Sequence, residues 1–220
     1  MKSLLKLIFN VLAILPAVLA FILKPIIRVL NILCRSIYSQ YIRFTFKKSH
    51  ISTTINFPIL LVGGKYITSG KNLFLGANGI LSAWESFKGD SFHPEIVFGD
   101  NVTIGNGFHI SAINKIHLGN NILMGKYVTI VDNEHGNITF ENLNIPPIKR
   151  RLSYSNGIFI EDNVWIGDKV TICSKARIGY GSVIGANSVV TGEIPPFSVA
   201  AGSPARIIKI IEPPINNNIK

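Results

Sequence analysis

The chain has 220 residues, 47% of them hydrophobic and 10% aromatic, which is enough for one domain with appendages and excludes wholesale disorder. Its net charge of +10 would suit a nucleic-acid binder if it were spread over a folded surface, but residues 1–84 carry ten Lys and Arg and no acid, whereas residues 85–220 carry twelve of each sign. No nucleic-acid partner is expected, and the question becomes what the basic N-terminal end touches.

From Leu4 to Leu23 only Lys6, Asn10 and Pro16 interrupt an apolar run. That length is near the lower limit for crossing a bilayer, and Lys2 and Lys6 before it and Lys24 and Arg28 after it set no orientation. A secretory signal is the alternative, because Val18-Leu19-Ala20 resembles a cleavage site. Beyond Lys24 the pattern changes. Lys24, Arg28, Asn31, Arg35 and Ser39 recur at helical spacing, with Ile26, Ile27, Val29, Leu30, Ile32, Leu33, Ile37 and Tyr38 filling the rest. This spacing predicts an amphipathic helix with a basic stripe, suited to an anionic membrane surface or to packing on the rest of the protein. Residues 1–50 are therefore read as a membrane-associating helical segment, spanning the bilayer or lying on it. Cys34 in this segment and Cys173 further on form no framework and are read as free thiols of a reducing compartment.

The remainder, residues 51–210, has a six-residue period, and 211–220 is a tail. Ile59 to Gly64 and Leu73 to Gly76 look like its first strands, and Leu81 keeps the step from Leu75. The phase is lost after Trp84 and returns at Ile96, so 84–95 is expected to be a solvated loop in which Asp90 and His93 could face a substrate. Large aliphatic residues then recur at Phe98, Ile104 and Ile110 and, after a two-residue insertion around Ala112 to Lys115, at Leu118, Met124 and Ile130. The longest unbroken run is Ile158 to Thr191, with Ile160, Ile166, Ile172, Ile178, Ile184 and Val190 at steps of six. Apolar or small residues lie two before each, and Gly167, Gly179 and Gly185 follow three of them, where positive φ is expected. Each repeat is a short strand and a turn that cannot bury its apolar face alone, so the repeats must coil into an all-β parallel β-helix with three hexapeptides per turn. Ile110 should stack on Ile130 and Phe98 on Leu118. Trp165, between inward Val164 and Ile166, should point outward and want a partner.

Between Ile130 and Ile160 the step is thirty residues. This excursion, 131–157, carries Asp132-Asn133-Glu134-His135-Gly136 and, later, the cluster Lys149-Arg150-Arg151. A long loop in a compact repeat array is usually functional or disordered. Imidazole is the side chain best matched to taking a proton near neutral pH, and a neighbouring carboxylate can fix its tautomer. By themselves these residues also fit an ordinary surface histidine. His109 and His117 should point outward on different faces, without acids at ligand spacing, and no metal site is expected.

The hexapeptide run, the excursion bearing Asp132 to Gly136, the segment Asp162-Asn163-Val164-Trp165-Ile166-Gly167 and the ending Ile194 to Arg206 together resemble the left-handed β-helix acyltransferases, in particular the sugar O-acetyltransferase branch. The match covers about residues 96–210. The left hand of the coil comes from this resemblance alone. The resemblance implies that His135 is a general base on an acceptor hydroxyl that attacks the acetyl-CoA thioester directly. It implies that Trp165 lines the CoA groove, that Ala186, Thr191 and Gly192 border the pantetheine arm, and that Arg206 and Lys209 meet the nucleotide phosphates. Asp132, Asn133 and Glu134 are the candidate acceptor contacts. Homotrimers with sites between subunits are implied as well. Two departures bear on the acceptor: Gly136 stands where the galactoside enzymes have proline, and the apolar N-terminal segment replaces the short helical region of the small members. The expected function is acetyl transfer to a hydroxyl of a cell-surface polysaccharide precursor, O-antigen, capsule or exopolysaccharide, a glycan expected to be lipid-linked rather than a free oligosaccharide, at the cytoplasmic face of the bacterial inner membrane. An amino-sugar N-acetyltransferase shares nearly every motif, and a non-catalytic β-helix scaffold or a γ-type carbonic anhydrase relative are the remaining alternatives.

Overall fold

A computed structural model of the protein describes residues 2–212 and, within the first seventeen, only the side chains of Lys6, Phe9, Ala13, Ile14 and Pro16. The expected tail therefore lies outside the described residues from 213 onward. The N-terminal segment is one helix, α1, Lys2–Phe44, which continues through Pro16 and Pro25. At 1.5 Å per residue its 43 residues extend about 65 Å. Residues 18–37 are exposed on every side, including the large apolar side chains from Val18 to Ile37. Among the described residues no helix is long and apolar enough to cross a membrane.

Among the described residues, the last turns of α1 pack on the rest of the chain. Ser39, the final member of the basic stripe, is buried: its Oγ accepts from the Ile55 amide at 2.8 Å and donates to the Ile55 carbonyl at 3.0 Å. The Ile59 amide donates to the Tyr38 hydroxyl at 3.0 Å. Ile42 and Phe46 join the buried core and close the open end of the coil. The helix end thus supplies the polar partners and apolar plug that a terminal repeat otherwise lacks.

The body is a left-handed parallel β-helix with three faces. We name them by one residue each. The Trp165 face has eight strands, from Thr54–Ile55 through Trp165–Ile166 to Ser198–Ala201, and ends on the antiparallel strand Arg206–Ile210. The His109 face stacks Ile59–Val62, Gly79–Ala83, His109–Ala112, Thr129–Val131, Thr171–Ile172 and Val189–Val190. The His117 face stacks Ile67–Ser69, Glu95–Phe98, Lys115–Leu118, Ile158–Ile160, Arg177–Ile178 and Glu193–Ile194. Ile110 pairs with Ile130 and Phe98 with Leu118, as the period requires. The inward positions, among them Ile96, Ile104, Ile116, Ile130, Ile160, Ile166 and Ile172, form one continuous buried column, each side chain contributing about 1.5–3 kcal/mol by its removal from water.

The corner glycines differ from expectation. Positive φ falls elsewhere: on Lys169 and Gly181, two residues after Gly167 and Gly179, and on Asn72, Asn101, Asn121 and Asn163. Gly167 is small for another reason, since a Cβ there would sit 2.6 Å from the Ala186 backbone nitrogen of the next turn. The four asparagines form a ladder along the corner between the His117 and Trp165 faces, each Nδ2 donating to the next Oδ1 at 2.9 to 3.1 Å. That corner is stiff and carries no insertion.

Candidate active site

Every long departure from the six-residue rule falls on one other corner, where the His109 face passes to the His117 face. Residues 84–94, 113–114 and 132–157 leave the coil there on three successive turns. Strands stack about 4.8 Å apart, so the roots of the first and third loops lie about 10 Å apart, with the short insertion between them.

Asp132 fastens the long excursion to that insertion. It is 0% exposed. Its Oδ1 accepts from the Ile113 amide and its Oδ2 from the Asn114 amide, both at 2.9 Å, and Asn133 Nδ2 donates to Oδ1 at 3.2 Å. Burial raises the carboxyl above its ordinary pKa, while the two backbone amides and Asn133 pull it back. Asn114 Nδ2 in turn donates to the Ser155 carbonyl at 2.6 Å. One two-residue insertion therefore holds both ends of the excursion. Asp132 was expected on the acceptor side. In the structure it is fully buried, with its oxygens bonded to the Ile113 and Asn114 amides and to Asn133.

Beyond this brace, Asn133 and Glu134 pair antiparallel with Tyr154 and Ser153, and His135 lies exposed at the end of that ladder. Gly136 follows with φ +81°, its amide donating to the Glu134 carbonyl at 2.9 Å. Proline holds φ near −65° and cannot adopt this turn, which accounts physically for glycine at this position. The aliphatic part of Arg150 lies over Gly136, 3.2 Å from where a Cβ would stand. Glu134 also approaches the next turn: burial first, and then the Glu134 charge, push the Cys173 thiol up, so it stays protonated and unreactive. Both cysteines are free.

The segment 84–95 is solvent-exposed at most positions, as expected of a solvated loop, but it is ordered. Ser86–Phe87 and Asp90–Ser91 form a small hairpin that docks on the excursion. Phe87 meets the His135 ring at 5.9 Å between centroids, nearly edge-on at 71°. Arg151 grips Asp90 with two nitrogens, Nε donating to Oδ2 at 3.0 Å, and holds that carboxyl below the usual range. Lys88 Nζ donates to the Ile148 carbonyl, and Phe92 packs edge-on against Tyr154 at 6.1 Å. Of the candidate substrate contacts here, Asp90 is committed to Arg151 and His93 is exposed. The cluster Lys149-Arg150-Arg151 is also divided, since Arg151 holds the hairpin and Arg150 Nε donates to the Ile145 carbonyl at 2.8 Å.

The remaining candidates fall into two groups. Thr191 and Gly192 occupy the same corner as His135, two turns toward the C-terminus, and Gly192 has open space around it. Trp165 is 56% exposed on another face, in one outward column with Val183, Val199 and Lys209. Arg206 shares that final strand, and Ala186 is exposed at the corner beside it. Within one chain the whole His109 face separates Trp165 from His135. The sequence reading did not select Phe87, Asn114, or the pair Lys175 and Arg177, which line a cavity of about 240 Å³ with Ser155, Asn156 and Gly157 beside the returning excursion. Arg177 lies 4.5 Å over the Phe159 ring, and Phe159 stands 6.3 Å from His117, so these residues form a stack on the His117 face. His109 lies on a different face, so the two histidines do not converge.

The profile described as bacterial transferase hexapeptide (six repeats) matches residues 157–192. WbbJ of Escherichia coli (strain K12), named as a lipopolysaccharide biosynthesis O-acetyl transferase, is 36% identical over 159 residues, 70% of this chain and 77% of that protein. The galactoside O-acetyltransferase of the same organism is 39% identical over 114 residues, 52% of this chain and 56% of its own length. A solved galactoside acetyltransferase in complex with coenzyme A superposes with a TM-score of 0.53 at 29% identity, covering 78% of this chain and 68% of that one. The chain belongs to the hexapeptide-repeat acetyltransferase family and is an O-acetyltransferase using acetyl-CoA.

Proposed function

We propose that the protein transfers acetyl from acetyl-CoA to a sugar hydroxyl of a cell-surface polysaccharide precursor, with His135 as general base. The observation that carries this reading is the placing of His135: exposed, on a loop held at both ends by Asn114, on the corner that also carries Thr191 and Gly192. The imidazole takes the hydroxyl proton as that oxygen bonds to the acetyl carbon. The carbon–sulfur bond then breaks, and the proton passes to the departing CoA thiolate. Base catalysis of this kind supplies roughly 10²–10⁴-fold, with positioning of the two substrates adding much of the rest.

The CoA contacts assigned to this chain are Trp165, Ala186, Thr191, Gly192, Arg206 and Lys209. Their division into two groups on one chain supports a homotrimer in which the Trp165 face of one subunit meets the His135 corner of another. The lipopolysaccharide assignment of WbbJ supports a glycan precursor as acceptor. The exposed apolar and basic side chains of α1 support attachment to an anionic membrane surface, and so a lipid-linked acceptor at the cytoplasmic face.

The test is acetyl transfer to a panel of nucleotide sugars and lipid-linked glycans, with product mass and alkaline lability. An alkali-labile acetyl on a glycan is expected. An alkali-stable amide on an amino sugar, or no transfer to any glycan, would refute the reading. Co-flotation with vesicles containing anionic lipid, lost on Lys24, Arg28 and Arg35→Glu, checks the membrane part.

A further inference from the structure

The hairpin Ser86–Ser91 has no part in the repeat fold, yet it and the adjoining Phe92 meet the excursion at four points: the Phe87 contact with His135, the Arg151 grip on Asp90, the Lys88 bond to Ile148 and the Phe92–Tyr154 pair. Three of these fasten it to the excursion without using Phe87, so the phenyl ring is carried to the imidazole by its neighbours. Phe87 remains half-buried, with the Lys88 ammonium 5.6 Å from its ring centroid, and Trp84 stands exposed at the root of the same hairpin.

The corner also has a direction. On the His109 face the hairpin leaves from the strand two below the excursion, and Thr191 follows the strand two above it. The donor contacts already assigned lie on the upper side of His135, which leaves the lower side, toward α1, for the second substrate. A general base must stand within about 2.6–3.2 Å of the hydroxyl it serves. The ring bearing that hydroxyl must therefore lie within reach of Phe87, whose centroid is 5.9 Å from that of the imidazole. A pyranose is amphipathic, with hydroxyls at its rim and an apolar C–H face. The negative face of an aromatic ring is its natural partner, and convergent polar groups fix the orientation.

We propose that the 84–95 hairpin is the acceptor-recognition element, and that Phe87 is the surface on which the acceptor sugar ring lies while its hydroxyl meets His135. This rests on His135 being the general base. The acceptor enters from the α1 side, opposite to acetyl-CoA. Asp90 and Arg151 are positioning residues that hold the platform in place.

The test is steady-state kinetics with p-nitrophenyl glycosides of galactose, glucose, mannose and rhamnose as acceptors, read as thiol release from acetyl-CoA. Phe87→Leu, which keeps most of the volume without the aromatic face, should raise the acceptor KM at least tenfold while the acetyl-CoA KM stays within twofold, and Phe87→Trp should bring the acceptor KM back to within threefold of wild type. Thermal melting confirms that each variant is folded. An unmoved acceptor KM in Phe87→Leu, an equal rise in both KM values, or a panel on which no glycoside accelerates thiol release by the wild type would overturn the proposal. Transfer that persists in His135→Ala would overturn the reading beneath it. Transfer lost in His135→Ala with an unmoved acceptor KM in Phe87→Leu would remove the platform alone.

Discussion

Replacing Asp132 by Ala removes the acceptor of two backbone amides, those of buried Ile113 and half-buried Asn114. A buried donor left without a partner costs about 1–3 kcal/mol, so the two together cost about 2–6 kcal/mol. Burial of the carboxylate opposes this, since it already raises the Asp132 pKa, so the net loss should fall in the lower half of that range. Asp132→Asn keeps one carbonyl acceptor and should lose about half as much. Urea unfolding measures both, and kcat on the same samples should fall tenfold or more while the acetyl-CoA KM holds, because the brace governs where His135 stands rather than where CoA binds. The pH dependence has a definite sign. A carboxyl whose folded pKa lies above its unfolded one leaves the folded state holding more protons between the two values, so its contribution falls as pH rises from about 4 through the raised value. Asp132→Asn should remove that slope. Stability within 0.5 kcal/mol of wild type for Asp132→Ala, with unchanged kcat, would refute the brace.

Gly136→Pro demands φ near −65° where the chain has +81°; it should abolish transfer while the melting temperature moves by less than about 3 °C, because the strain is confined to an exposed loop. Loss of the fold instead would show that the excursion supports the coil. Gly99→Ala places a Cβ 2.5 Å from the Gly119 carbonyl oxygen of the next turn and should destabilise by about 1–3 kcal/mol, read by urea unfolding, with kcat unchanged in the folded fraction. Because Arg151 holds Asp90 below its usual range, the hairpin tether is present above the ordinary Asp pKa and is lost as pH falls through the depressed value. Trp84 emission in a Trp165→Phe background should report this release on acidification, and Asp90→Asn should show the released emission already at pH 7.

The coil was legible because its period is rigid. Ile158 to Thr191 holds one register, Ile110 falls on Ile130, and Trp165 points outward because Val164 and Ile166 point in. His135 stood out as a candidate because it lies where the period breaks, and the family resemblance, not the residues alone, gave it the role of base. That the break at 84–95 shares a corner with the break at 131–157 was also present in the register, because each follows a strand in the column of Leu81, Ile110 and Ile130. What could not be read is how the two loops meet. Asp90 and Arg151 are 61 residues apart in segments without a period, and the Phe87 contact joins the same two segments. The burial of Asp132 could not be read either, because loop acids are ordinarily solvated and the amides that bind it come from the insertion at 113–114. The glycines misled in a smaller way. At Gly167 the need is for close approach between turns, and the left-handed conformation falls two residues later.

The most direct measurement is single-turnover acetyl transfer by His135→Ala beside calorimetric titration of the same variant with CoA. Transfer should fall by roughly 10²–10⁴-fold with the CoA dissociation constant within twofold of wild type. Transfer at the wild-type rate would contradict His135 as the base, and with it the placing of the reaction on the corner where the repeats are broken.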